Sequence, residues 1–174
     1  MTNALILKNE SLNKYNSWRV GGAADNLFAP KNLEELKNFL KEGKYLKPLT
    51  FIGLGSNILV RDGGIRGTVI VMHAALNEIQ MTDDSVYAEA GNTCAKIAKN
   101  LAKQHYVGGE FFAGIPGTVG GALAMNAGCY GSETWNYVTQ VNMIDEEGNI
   151  AKIYETVKVN GHCDKCYVGM CQMS

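Results

Sequence analysis

The sequence is poor in proline, with 3 in 174 residues, and it carries no excess of either charge: 16 Lys+Arg stand against 17 Asp+Glu, a formal net charge of −1. Scarce proline without a short Gly-x-y period excludes collagen-like and low-complexity chains. The basic residues are scattered and form no stripe that would track phosphates, so nucleic acid is not expected as a partner. No apolar run approaches the roughly 20 residues of a membrane span. The stretch Ala4–Leu7 ahead of Lys8 is too short for the apolar core of a signal peptide. The expectation is a cytoplasmic protein with no membrane partner.

Cysteines are few and unevenly placed. Of the 5, Cys163, Cys166 and Cys171 lie near the chain's end while Cys94 and Cys129 stand alone, which is not the layout of a disulfide framework. His162, Cys163, Cys166 and Cys171 offer zinc ligands, and Cys163–Cys166 has CxxC spacing. A lone CxxC is weakly specific, and a zinc site normally has its second ligand pair across a folded loop. No metal is expected.

What the sequence does contain is apolar content and glycine. With 46% hydrophobic and 19% charged residues it can bury the core of one or two small domains. Its 20 glycines make up about 11% of the chain, against roughly 7% in ordinary globular proteins. The excess is local, because Gly108, Gly109, Gly114, Gly117, Gly120, Gly121, Gly128 and Gly131 share one window.

Residues 4–20 read as mixed and polar, ending in a loop that turns at Gly21-Gly22. A short extended run, Ala24–Ala29, precedes a helix from Leu33 to about Lys41, capped by Asn32 and stopped by Gly43. Pro48–Ile52 and Thr68–Met72 are β-rich and apolar. Asp83-Asp84 marks a hairpin turn, and Thr93 caps a second helix, Cys94–His105, with Ile97, Ala98 and Leu101 on one face. After the glycine window a hairpin is expected over Val138–Ile144 and Ile150–Tyr154. Residues 156–174 show neither periodicity and read as poorly ordered or foreign to the fold.

Two glycine loops carry the chemistry. Gly53-Leu54-Gly55-Ser56-Asn57 has the composition of a backbone nest for an anion such as a diphosphate, with Ser56 and Asn57 adding donors. It lacks the third glycine of the dinucleotide fingerprint and the Lys of a P-loop, so an ordinary turn after a strand fits it equally. The window from Gly108 to Gly131 has little side-chain bulk. Either glycines pack closely there, or a large flat ligand fills the space and meets the backbone along Ile115–Gly121. Arg19, Arg61 and Asp62 read as solvated or capping residues, Tyr130 as either packing or a ligand contact, and Trp18 and Trp135 as edge packing.

The segments Asn16–Gly22, Gly53–Val60, Ile115–Gly121 and Met125–Gly131, in that order, resemble the FAD-binding portion of the UDP-N-acetylenolpyruvoylglucosamine reductase (UDP-N-acetylmuramate dehydrogenase) family over residues 14–153. That resemblance implies an α+β fold of the vanillyl-alcohol-oxidase (PCMH) type, in two small subdomains at residues 1–72 and 73–155, with 156–174 an atypical tail, disordered or out of frame. It implies FAD as cofactor. The cofactor-binding positions carried over are Gly53, Leu54, Gly55, Ser56, Asn57, Ile58 and Leu59 at the diphosphate, and Ile115, Pro116, Gly117, Thr118, Gly120, Gly121, Ala122, Asn126, Ala127 and Gly128 along the ribityl chain and flavin. The complete enzyme passes a hydride from NADPH through flavin to UDP-N-acetylglucosamine enolpyruvate in peptidoglycan-precursor synthesis. The family's catalytic Ser, Arg and Glu match no position here, so the resemblance also implies a truncated chain lacking its C-terminal substrate domain, with catalytic residues unknown. A flavin-dependent oxidase of the same class, with Cys129 as a point of flavin attachment, and a non-enzymatic nucleotide-binding module are the alternatives.

Overall fold

The computed structural model describes residues 5–73, 75–154 and 166–173, the last segment as backbone alone. Its first half is built on four strands, β1 (Ile6–Ser11), β2 (Ala23–Phe28), β3 (Leu49–Ile52) and β4 (Ile65–Val71), in the order β1–β2–β4–β3. β1 runs antiparallel to β2, while β2 and β3 both run parallel to β4. Parallel strands need a return connection, and helix α1 (Leu33–Glu42) provides it between β2 and β3. Its ends form as the sequence predicts: Asn32 Oδ1 accepts from Glu35 N at 2.9 Å, and Gly43 closes the helix in the left-handed region at φ 62°.

Strand alternation divides the apolar residues between two faces. Phe28 and Ile70 pack against Leu36, Phe39 and Leu40 of α1, and Leu27, Val69 and Val71 pack on the other side with Leu12, Ile52 and Val60. β1 is a strand where the sequence shows only a polar segment. It is an edge strand, with Lys8 and Asn9 exposed, and an edge has little need of an apolar face.

The second half contains β5 (Ile79–Met81), β6 (Val86–Glu89), helix α2 (Cys94–Lys103), helix α3 (Val119–Met125), the two-residue hairpin strands β7 (Gly128–Cys129) and β8 (Ser132–Glu133), then β9 (Val138–Asp145), β10 (Ile150–Tyr154) and β11 (Cys166–Met173). Its main sheet is antiparallel throughout, in the order β10–β9–β11–β6–β5. Within the stretch 156–174, read from the sequence as poorly ordered or foreign to the fold, residues 166–173 form a strand of this sheet. The backbone of β11 pairs with β9 on one side and β6 on the other. A register shift between Val168 and Met170 interrupts the period along the strand. Residues 155–165, including His162 and Cys163, lie outside the described residues.

The two halves meet at the β9–β10 turn. Asp145 shapes the turn by accepting from Asn149 N at 2.7 Å and Glu147 N at 3.0 Å; these bonds, the Asn149 N–H foremost, hold its carboxyl below the usual range. Next to it, Ile144 sits in the cluster of Phe28 and Leu36. Tyr45 Oη donates to Glu146 O at 3.1 Å, and Lys47 pairs with the Glu146 carboxylate.

The core of the second half gathers Val86, Cys94, Ile97, Phe111, Phe112, Val119, Leu123 and Val141. Burial pushes the Cys94 thiol from 9.0 up to about 12. The native state therefore holds this proton more tightly than the unfolded chain, and the linked stability, complete below about pH 9, is lost as the pH rises toward 12. Urea denaturation at increasing pH is expected to show a decline that Cys94→Ala lessens by up to about 1.4 kcal/mol per pH unit. Parallel pH dependences in the two proteins would contradict it.

Candidate functional site

β3 stops at Ile52, and the chain leaves the sheet at Gly53–Asn57. This is the carboxyl end of a parallel strand, where open sheets place their ligand crevices. Ile52 O still accepts from Met72 N at 2.8 Å, but none of the five backbone N–H groups from Gly53 to Asn57 donates a hydrogen bond among the described residues. Gly55 lies in the left-handed region at φ 66°. A left-handed residue within such a run turns successive N–H groups toward one concavity, the arrangement of an anion nest. The Ser56 hydroxyl and the exposed Asn57 amide stand beside these amides.

The nest is seated on two other segments. A Cβ on Gly55 would collide with Tyr15 O and lie 2.7 Å from Asn16 Cα, and Gly55 O accepts from Ser17 N at 3.0 Å. A Cβ on Gly53 would collide with Thr118 Oγ1. Thr118 is itself 2% exposed and caps α3 by accepting from Gly121 N at 3.3 Å. The loops after β3 and before α3 thus touch, and Ser56 Oγ lies 3.7 Å from where a Gly117 Cβ would sit.

Of the eight glycines of the second window, Gly108 and Gly131 hold positive φ, at 95° and 82°, and the other six fall into two groups. Cβ atoms on Gly109 and Gly114 would collide with Leu101 and Cys129, one on Gly120 would lie 2.9 Å from Ala90 Cβ, and one on Gly128 would lie 2.6 Å from Ser132 O. Close packing accounts for these four. Gly117 and Gly121 have no neighbour nearer than 3.7 and 3.5 Å, so packing does not require glycine at either.

The backbone along Ile115–Gly121 is also more occupied than the sequence suggests. Ile115 N donates to Phe112 O, Val119 N to Asn92 O, Gly120 N to Ala90 O and Gly121 N to Thr118 Oγ1. Among the described residues the N–H groups of Gly117 and Thr118 remain without an acceptor. Ala122 is buried in the core. Asn126, at φ 43°, ends α3 and accepts from Trp135 N at 3.1 Å, while Ala127 O accepts from Thr134 Oγ1 at 2.7 Å. Ile58 packs beside Leu12 and Val60, Leu59 is 71% exposed, and Leu54 and Pro116 flank the two loops. Sequence reasoning located both loops but missed Tyr15–Ser17 as the seat of the first and Ala90–Asn92 as the anchor of the second. Asn16-Ser17 stood in a segment read as a turn and as one of the four that carry the resemblance, with no cofactor-binding position assigned to it.

Five consecutive free amides, with two more on the loop that touches them, suit an anion with several oxygens. Residues 24–154 match the FAD binding domain family, and the chain belongs to that family. The curated relatives sharpen this. The chain is 52% identical over 143 residues to the UDP-N-acetylenolpyruvoylglucosamine reductase of Nitrosospira multiformis, covering 80% of this chain and 41% of the relative. It is 49% identical over 146 residues to that of Legionella pneumophila, covering 83% and 47%. The resemblance read from the four segments is therefore borne out, and the chain spans about half the length of the curated relatives it matches. Among solved structures, the reductase from Thermus caldophilus superposes with a TM-score of 0.79 at 24% identity, over 99% of this chain and 62% of that one. A structure titled FgChi7B gives 0.66 at 14% identity, over 94% and 37%. Both share the fold. FAD is the cofactor of the family, and the donor set of the first loop fits its diphosphate. Among the described residues no helix is long and apolar enough to cross a membrane, and no cluster of three or more His, Cys, Asp or Glu is placed to hold a metal.

The glycine geometry predicts an asymmetric pair of variants. Gly55→Ala, strained by its φ and blocked by Tyr15 O, is expected to lose about 2 kcal/mol or more. Gly117→Ala, whose added Cβ would meet Ser56 Oγ and Ile115 at ordinary van der Waals distance, is expected to stay within about 0.5 kcal/mol of wild type. Urea denaturation of both checks this, and equal losses would refute it.

Proposed function

We propose that this chain is the cofactor-holding portion of an NADPH-dependent UDP-N-acetylenolpyruvoylglucosamine reductase of peptidoglycan-precursor synthesis, a cytoplasmic oxidoreductase. FAD, when bound, supplies the hydride relay from NADPH to the enolpyruvyl double bond that yields UDP-N-acetylmuramate. The residues of this chain bind and orient. The amides of Gly53–Asn57 take the diphosphate oxygens, with the Ser56 hydroxyl and Asn57 amide at the rim. Gly117 and Thr118 present two further N–H groups from the facing loop, and the bare backbone at Gly117 and Gly121 lets a flat ring system approach closely. NADPH and the UDP-sugar are substrates of the complete enzyme. No residue of this sequence is assigned to proton delivery, since the family's acid and its carboxylate and guanidinium partners match no position in it.

The observation that supports this reading most directly is the run of partnerless amides at Gly53–Asn57, set against a second glycine loop in a chain of the FAD binding domain family. Incubated with FAD and passed through gel filtration, the 174-residue chain is expected to elute with bound flavin absorbance, which Gly55→Ala strongly diminishes. Addition of NADPH and the UDP-enolpyruvyl sugar is expected to give no substrate-dependent NADPH oxidation. A chain that folds but elutes colourless would overturn the binding role, and robust turnover would show that this chain supplies the proton-transfer groups after all.

A further inference from the structure

Asn16 lies directly beneath the nest and is 5% exposed. Its Nδ2 donates to Leu12 O at 2.7 Å and to Val20 O at 2.9 Å, tying the turn after β1 to the approach to β2. Two carbonyl acceptors fix which end of the amide is nitrogen. Oδ1 is left as the one buried side-chain oxygen or nitrogen among the described residues with no hydrogen-bond partner. An unpaired buried acceptor costs stability, and such costs gather where a residue serves something besides the fold.

What this side chain steadies is a brace that touches the nest and the segment following it. Ser17 N donates to Gly55 O at 3.0 Å, and Gly55 rests on Tyr15 and Asn16 so closely that no Cβ fits between them. Further along, Gly21 packs on the Val60 backbone and Gly22 N donates to Arg61 O at 3.0 Å. The left-handed turn at Gly55, which gathers the free amides, therefore rests on a surface that Asn16 holds in shape.

We propose that Asn16 is the positioning residue of the anion nest: its two N–H bonds hold the Asn16–Gly22 brace, and the brace holds Gly55 so that the amides of Gly53–Asn57 are set for a diphosphate before it binds. This rests on the FAD reading above. Its test is FAD affinity, followed by flavin fluorescence at pH 5 and pH 8, in wild type, Asn16→Ala and Asn16→Asp, at a temperature where thermal melts show each protein folded. Asn16→Ala is expected to weaken FAD about tenfold or more relative to wild type at both pH values. In Asn16→Asp the introduced carboxyl faces two carbonyl oxygens in a buried site, which raises its pKa. Relative to wild type, its affinity is expected to be poor at pH 8, where it cannot donate, and to recover toward pH 5, where its protonated form donates one bond. A merely structural role would shift the melting temperature with pH and leave the affinity of the folded protein unchanged. If Asn16→Ala does not fold, Asn16→Asp decides, and wild-type affinity at both pH values in either folded variant overturns the proposal. Failure of wild type to bind FAD overturns the functional reading instead, so the two failures are distinct.

Discussion

The site depends on contacts that exist only because Cβ atoms are missing. At Gly55 the backbone of the first loop lies on the backbone of Tyr15 and Asn16, and at Gly53 the same loop lies against the Thr118 hydroxyl. Three segments far apart in sequence are thereby brought to one place: the turn after β1 and the end of β3, which share the cluster of Leu12 and Ile52, and the start of α3, which belongs to that of Val119. Ordering glycine-rich backbone is entropically costly. The clusters around Val69, Ile70 and Ile97 offset that cost on either side of the site, so the loops need no apolar side chains of their own.

Thr118 shows how tightly function and fold are joined here. One hydroxyl caps α3, fills the space beside Gly53 and fixes the distance between the two loops. Its side chain thus joins the start of α3 to the seat of the first loop. The backbone around it is held as firmly, since Gly117 O, Val119 N and Gly120 N are all engaged with the segment from Ala90 to Cys94, while the N–H groups of Gly117 and Thr118 have no acceptor among the described residues.

Local signals in the sequence were sufficient for α1, α2 and the β9–β10 hairpin, whose caps, turn residues and apolar spacing act within a few residues of each other. They were insufficient for α3, where Gly120 and Gly121 depress helix propensity and the helix forms because Thr118 caps it and Val119, Ala122 and Leu123 enter the core. They were insufficient for β1 and β11 as well, an edge strand and an enclosed strand, neither of which shows alternation. At the site, composition pointed to Gly53–Asn57 and to the second window. It did not separate Gly120 and Gly128, needed for packing, from Gly117 and Gly121, which packing leaves free, because that distinction is made by Ala90 and Ser132 rather than by neighbours in sequence.

The place of β11 bears on the order in which the molecule is assembled. All four strands of the first sheet lie within residues 6–71, which also hold Gly55 and its seat on Tyr15 and Asn16. β6 and β9 have no direct pairing and wait for the strand that follows both of them in the chain. Pairings so distant in sequence are slow to close. Without that strand β6 and β9 would present unpaired edges to any other chain nearby.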